Sequence, residues 1–320
     1  MTLWRARLLL CSVAVTCGRW RAKKGWLRSR NAWSDSVVPG WRLDIGQGAV
    51  LAPGASEIGG DPDLALGEPW PVNHHGIPMT FLAQINTDEL PSLSDEWVTL
   101  AWRPLAGVLL RVFADLVDNP VEPGPARVLA AAPDDDLVRT ASPGVPSPWP
   151  AGGQWDGLDA SERVIELPEA SVRLTGFLTA PEIDPMLAPE GGFSTGAMGN
   201  AYYAWANRLR LDGLDYNDDS CQERMPWEVH HFLGEASSVQ GDVRGYAASI
   251  FESDRLAAFF GFRPDDRLAH DDAWQALLSL HNDDSIDLNI LDGGVYTVLV
   301  PTVDLRDGTF HPAICAIDSS

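Results

Sequence analysis

Lysine is almost absent from this 320-residue chain: Lys23 and Lys24 are the only two. Cysteine is scarce as well. Cys11, Cys17, Cys221 and Cys315 form no C-x-x-C pair, which excludes a disulfide framework and a zinc knuckle. A chain this long buries roughly three-quarters of its unfolded surface and needs no such staples. A reducing compartment, the cytoplasm, is the simplest fit. Long apolar runs are missing too. Leu8–Val15 is far too short to span a bilayer, so stable membrane insertion is not expected. No P-loop, G-x-G-x-x-G fingerprint or H-E-x-x-H pair occurs. Gly192-Phe193-Ser194-Thr195-Gly196 has the G-x-S-x-G spacing of a nucleophile elbow, but no strand is read before it, so nucleophilic catalysis is not supported. These absences leave no catalytic residue, no metal site and no cofactor to name.

What is abundant is acid. The chain has 45 Asp and Glu against 23 Lys and Arg, a net charge of -22. Eight of those basic residues (Arg5, Arg7, Arg19, Arg21, Lys23, Lys24, Arg28, Arg30) crowd into residues 1–32, which hold no acid. The body is therefore more acidic still. It repels nucleic acid and anionic membranes and attracts basic proteins, cationic ligands or metal ions. Arg5, Arg7 and Leu8–Val15 look like the start of a signal peptide, but the dense basic run that follows is wrong for export. Trp4, Trp20, Trp26 and Trp33 interleave with that run. Residues 1–33 are expected to be a disordered extension or the product of a misassigned start.

With 29 Gly and 24 Pro, turns are frequent, which favours short strands over a helical bundle. Ile77–Asn86 and Val108–Phe113 read as buried strands, and Thr87-Asp88-Glu89-Leu90 as a short helical turn. Residues 118–160 are rich in Pro, Gly, Ala and Asp and read as a long surface connection with at best an edge strand. Arg163–Leu167 and Val172–Thr175 are candidate strands. Apolar spacings of three and four predict helices over Ala197–Leu211 and Gly245–Phe260. Ala273–Leu280 reads as a strand, with Asp271-Asp272 as its cap.

The two ends of the body resemble each other. Phe81–Asp88 matches Leu277–Asp284 in pattern, and Gly107 with Val108–Phe113 matches Gly294 with Val295–Val300. Gly59-Gly60-Asp61-Pro62 is echoed by Leu233-Gly234-Glu235-Ala236. Two short apolar strands cannot bury both faces alone, so the copies are expected to pack together. The fold class expected is α+β, mainly β: one internally duplicated, pseudo-twofold β-rich domain with two or three helices. It spans residues 34–320, with related halves at about 56–117 and 228–318.

The same residues resemble the YwqG-like family, domain of unknown function 1963. The resemblance is carried by Gly59–Pro62, Glu68-Pro69-Trp70-Pro71, Pro78–Asn86, Gly107–Phe113 with Asp115, His230–Gly234, Gln240, Trp274–Leu278 and Asp292–Tyr296. It implies an α+β, mainly β, fold with internal duplication, and no established activity. It also places His230, His231 and Gln240 at recurrent family positions. The second copy departs from the family pattern, reading Leu280-His281-Asn282 where Gln-Ile-Asp is usual.

Six residues emerge as candidates for contact with a ligand or partner: Trp70, Gln84, Asn86, His230, His231 and Gln240. Trp70 sits between two prolines as a packing wedge or, if exposed, an anchor. Gln84 and Asn86 alternate on a buried strand and face one side, where buried amides need partners. Adjacent histidines on a strand point to opposite faces and do not readily share a metal. His74-His75 reads as surface loop. His270-Asp271-Asp272 and His281-Asn282-Asp283-Asp284 mix imidazole and carboxylate without a metal-specific spacing. Two functions follow as expectations. The first is an uncharacterised binding protein whose acidic body recognises a basic protein, one version being an immunity-like inhibitor of a cationic toxin. The alternative is a metal-dependent hydrolase using His230 or His231 with carboxylates such as Asp242 or Asp284. The oligomeric state is left open.

Overall fold

A computed structural model describes residues 38–46, 51–74, 76–91, 107–116, 124–133, 136–144, 166–179, 229–237, 242–291 and 293–319. Twelve strands lie in these segments. They are β1 (Val38–Ile45), β2 (Glu57–Ile58), β3 (Asp63–Ala65), β4 (Thr80–Asn86), β5 (Leu109–Ala114) and β6 (Gly124–Ala131). They continue as β7 (Leu137–Arg139), β8 (Ala170–Thr179), β9 (His231–Leu233), β10 (Trp274–His281), β11 (Val295–Pro301) and β12 (Ala313–Asp318). Three helices accompany them: α1 (Val243–Phe251), α2 (Asp254–Phe259) and α3 (Thr302–Asp307).

Ten strands close an antiparallel barrel in the order β1-β8-β2-β4-β5-β6-β12-β11-β10-β9, and β9 pairs back onto β1. Closure follows from alternation. Leu110, Val112 and Ala114 on β5, Tyr296, Val298 and Val300 on β11, and Ala313, Cys315 and Ile317 on β12 all enter one apolar core. Every barrel strand contributes to it, down to Phe232 on the short β9, so the interior is packed with side chains. The outer face is covered in two ways. Beside β10–β12, α1 lays Val243, Ala247, Ile250 and Phe251 on Trp274, Leu299 and Ile314. Beside β4 and β5, the separate two-stranded β3–β7 sheet forms the cover, with Leu64, Met79, Phe81 and Phe113 beneath it.

The fold is thus mainly β with a minority of helix. Several local expectations need correction. Residues 118–160 are not merely connection: β6 sits inside the barrel between β5 and β12, and β7 belongs to the cover. Its Gly-Pro start hides β6 in the sequence, but Pro125 still accepts a bond from the Asp115 N–H at 3.0 Å. The helix predicted over Gly245–Phe260 is two helices. Ser253 is extended and its hydroxyl accepts from the Leu256 N–H, starting α2 afresh. Asp271-Asp272 does not cap a strand by its side chains; both lie in a 3₁₀ turn, Asp271–Ala273, whose capping position is His270. The predicted helix Ala197–Leu211 lies outside the described residues, as do residues 1–33.

The two strands of the expected repeat can also be set against each other by their geometry. β4 and β10 each carry a bulge, at Leu82 and Leu277. Aligning the bulges sets Gln84 against Ser279 and Asn86 against His281, whereas the sequence pattern set Gln84 against Leu280. A bulge adds a residue without changing the apolar pattern, so composition alone cannot place it.

Candidate functional site

Beneath the β3–β7 cover lies a buried ionic cluster built from six segments. Glu57 on β2 stands opposite Gln84 on β4, which stands opposite Arg111 on β5. All three point outward from the barrel, and none is more than 1% exposed. Asp63, fully buried at the start of β3, closes on them from above. The Gln84 amide bridges the layers. Its Oε1 accepts from the Asp63 N–H at 2.9 Å, and its Nε2 donates to Asp63 Oδ2 and to the Ala55 carbonyl, both at 2.8 Å. Asn86 does the same one step along, donating to the Gly54 carbonyl at 2.8 Å. Its Oδ1 also caps the 3₁₀ turn Thr87–Glu89. Both amides therefore hold the loop from Gly54 to Asp63 against the barrel.

Two guanidinium groups complete the cluster. Arg111 donates from Nη1 to Glu68 Oε2 at 2.5 Å and to the Asp63 carbonyl at 3.3 Å. Arg139 on β7 donates to Glu57 Oε1 and to the Asp61 carbonyl. It also lies 3.6 Å from Asp63 and 3.4 Å from Glu169. Among the described residues Glu57 Oε2, Asp63 Oδ1 and Arg111 Nε have no hydrogen-bond partner. Burial pushes the Glu57 carboxyl up to about 7. Arg139 pulls it down, and Asp63 and Glu169 add to the rise.

The sign of the resulting pH dependence is fixed. Folded Glu57 keeps a proton that the unfolded chain releases near the ordinary 4.5. Its contribution is present in full below that value and is lost as pH rises to about 7. Glu57→Gln mimics the protonated acid and removes this slope. We expect its stability relative to the parent to rise by about 2–3 kcal/mol between pH 5 and pH 8. Urea unfolding of both proteins across that range measures it, and a constant difference contradicts it.

At one margin of the cover lies a small open cleft. Trp70, Phe81 and Met79 give it an aromatic and apolar wall; Asp61 and Glu166 bring carboxylates, and Ser142 a hydroxyl. Trp70 is half-buried, stacked edge-on to Phe113 at 5.3 Å, with its Nε1 donating to the Met79 carbonyl at 2.9 Å. Thr80 also lines the cleft. It is 5% exposed, and its hydroxyl has no hydrogen-bond partner among the described residues.

A family model, the domain of unknown function DUF1963, matches residues 56–319. The chain belongs to the DUF1963 family. The match begins one residue before Glu57 and runs beyond β12, so it takes in the ionic cluster, the cleft and all of the barrel except β1. No curated protein matches the chain.

His230 and His231 are tied into the framework of the DUF1963 barrel. His230 Nδ1 accepts from the His281 N–H at 3.0 Å, so its proton is on Nε2, 3.1 Å from Asp283 Oδ2. His231 Nδ1 lies 2.7 Å from the Leu233 carbonyl and must donate to it. Its Nε2, 3.0 Å from Ser237 Oγ, is then the acceptor. Both rings spend both nitrogens. Asp242 is exposed, capping α1 and pairing with Arg244 at 2.7 Å, and Asp284 is exposed in a 3₁₀ turn. Among the described residues no three His, Cys, Asp or Glu side chains converge to hold a metal ion. The hydrolase alternative gains no support from this geometry. Gln240 and His75 lie outside the described residues. His74 is exposed, its ring 5.2 Å from that of Phe259.

Glu57, Asp63, Glu68, Arg111 and Arg139 were not singled out from sequence. One signal was available: Arg111 interrupts the apolar run Val108–Phe113 at its centre, where an exposed charge cannot sit. Arg139 lay in the stretch read as connection.

Proposed function

We propose that this protein binds rather than catalyses, and that its acidic body receives a basic protein whose cationic side chain seats in the cleft at Trp70. The cleft carries this reading. It sets an aromatic face, two carboxylates and a buried hydroxyl with no partner among the described residues around one opening, on a chain of net charge -22. A guanidinium or ammonium with an apolar stem fits that set through cation–π and ionic contacts. Gln84 and Asn86 serve the same site indirectly, since they hold the loop that presents Asp61. An immunity-like inhibitor of a cationic toxin is one form of such a protein, and the charge supports it. We also read residues 34–320 as one domain of two related halves. The matching bulges support this, as do the two five-strand runs β8-β2-β4-β5-β6 and β1-β9-β10-β11-β12. Cys315, buried and free, suits a reducing compartment.

A labelled hexa-arginine peptide, titrated at low and moderate salt, tests the cleft. Trp70→Ala, and separately Asp61→Asn with Glu166→Gln, are each expected to weaken binding about 5–10-fold. Asp254→Asn with Asp266→Asn, two exposed acids on other elements, is expected to leave it within twofold. Equal weakening by both pairs of acid substitutions means diffuse attraction and sinks the reading.

A further inference from the structure

We propose that the β3–β7 cover is a pH-released flap, latched onto the barrel by the Glu57–Arg139 and Asp63–Gln84 contacts, that opens as pH rises through neutrality. The contrast between the two sides of the barrel points to it. Across β2, β4 and β5 the outward row is Glu57, Gln84 and Arg111. At the bulge-matched places on β9, β10 and β11 it is His231, Ser279 and Thr297, joined by a Ser279–Thr297 contact of 3.3 Å and the His231–Ser237 bond. These three places hold no carboxylate or guanidinium; the nearest, Arg42 opposite His231 on β1, is paired with Asp44 on its own strand and fastens no cover.

The covers differ in the same sense. The α1 cover buries a broad apolar face, including Phe251 against Trp274 at 5.5 Å. The β3–β7 cover has two strands of three residues and buries Leu64, while Leu66 is 76% and Val138 46% exposed. What fastens it is polar: Asp63 to Gln84 and Arg111 on β3, and Arg139 to Glu57 on β7. The groups around Glu57 are Arg139 from β7, Asp63 from β3, Glu169 ahead of β8, and the neutral Gln84 and Ser171 on β4 and β8. With Glu57 ionised, carboxylates outnumber guanidinium groups beneath the cover, and its charge has no water. Opening the flap admits water to Glu57. The acid is stronger in the open state than in the closed one, so each proton lost favours opening. Asp61 and Ser142, which flank the cover strands, line the cleft, and Arg139 also grips the Asp61 carbonyl. Release would therefore reshape the cleft; that consequence rests on the cleft being the binding site, whereas the latch itself does not.

Hydrogen exchange of the full chain, corrected for intrinsic rates, reads the flap without any ligand. The Asp63 amide, bonded to Gln84 Oε1 on the barrel, and the Gly54 amide, bonded to Asp63 Oδ2, report its closure. Their protection is expected to fall about tenfold from pH 6 to pH 8, with β10 and β11 unchanged. In Glu57→Gln the fall is expected to vanish. Constant protection in the parent, or an equal fall across β10 and β11, overturns the latch, and the parent alone decides this if the variant does not fold. Retention of the fall in a folded Glu57→Gln overturns it as well. A failed hexa-arginine titration would sink the cleft reading and leave this result untouched.

Discussion

Arg111→Ala is expected to cost about 3–5 kcal/mol of folding stability, the largest loss among the polar residues of the cover. The side chain is fully buried, so its removal leaves a void beneath β3. It also ends the ion pair with Glu68 and the bond to the Asp63 carbonyl. Arg111→Met separates these effects. It keeps most of the volume, and Glu68, whose side chain is 22% exposed, can turn to water. We expect about half the loss. Glu68→Gln, which keeps an acceptor for Arg111, is expected to cost about 1 kcal/mol. Chemical denaturation of the three variants gives the order, and Met costing as much as Ala would mean that charge rather than packing holds this site.

Gly59→Ala is expected to cost a further 3 kcal/mol or more, through contact rather than backbone strain. Gly59 has φ +61, and a Cβ there would stand 2.3 Å from the Pro168 carbonyl oxygen and 2.5 Å from that of Leu167. Neither can yield easily. The Gly60 N–H bonds to Leu167 O at 3.0 Å, and the Gly59 N–H to Leu82 O at 2.9 Å. Two internal controls isolate the cause. Leu233, the last residue of β9, carries a full side chain at φ +55, so the conformation alone is tolerated. Gly67 has φ +82 with nothing near its Cβ, and Gly67→Ala is expected to cost about 1 kcal/mol. Equal losses in thermal or urea unfolding at positions 59 and 67 would contradict the contact argument.

Much of the barrel was legible. Thr80–Asn86, Leu109–Ala114 and Trp274–His281 are apolar runs of strand length ended by Asn or Asp turns, and they form strands because both faces are covered. The strands that escaped notice have weak signals of their own. β9 is three residues, and β6 begins Gly-Pro. Each is made a strand by neighbours on both sides, which no window of sequence contains. The break between α1 and α2 was readable as Ser253, a residue that caps better than it continues a helix.

The candidate site divides in the same way. Trp70, Gln84 and Asn86 announced themselves as an aromatic between prolines and as amides on an apolar strand. Their partners did not, because Glu57, Asp63 and Arg139 look like ordinary surface charges until β2, β3 and β7 converge.

By itself the sequence determined a β-rich, strongly acidic chain, the places of its strongest strands, and the lack of any nucleotide or metalloprotease motif. These are local or summed properties, set by side-chain period, turn chemistry and charge. Ring closure, the one-residue register between bulged strands and the burial of charge beneath the cover were decided by tertiary structure. β1 pairs with β8 across more than 120 residues, and β6 with β12 across more than 180. Burial pushes the Glu57 carboxyl up only because β4, β8 and the β3–β7 cover meet around it, and desolvation is a property of what surrounds a residue rather than of the residue.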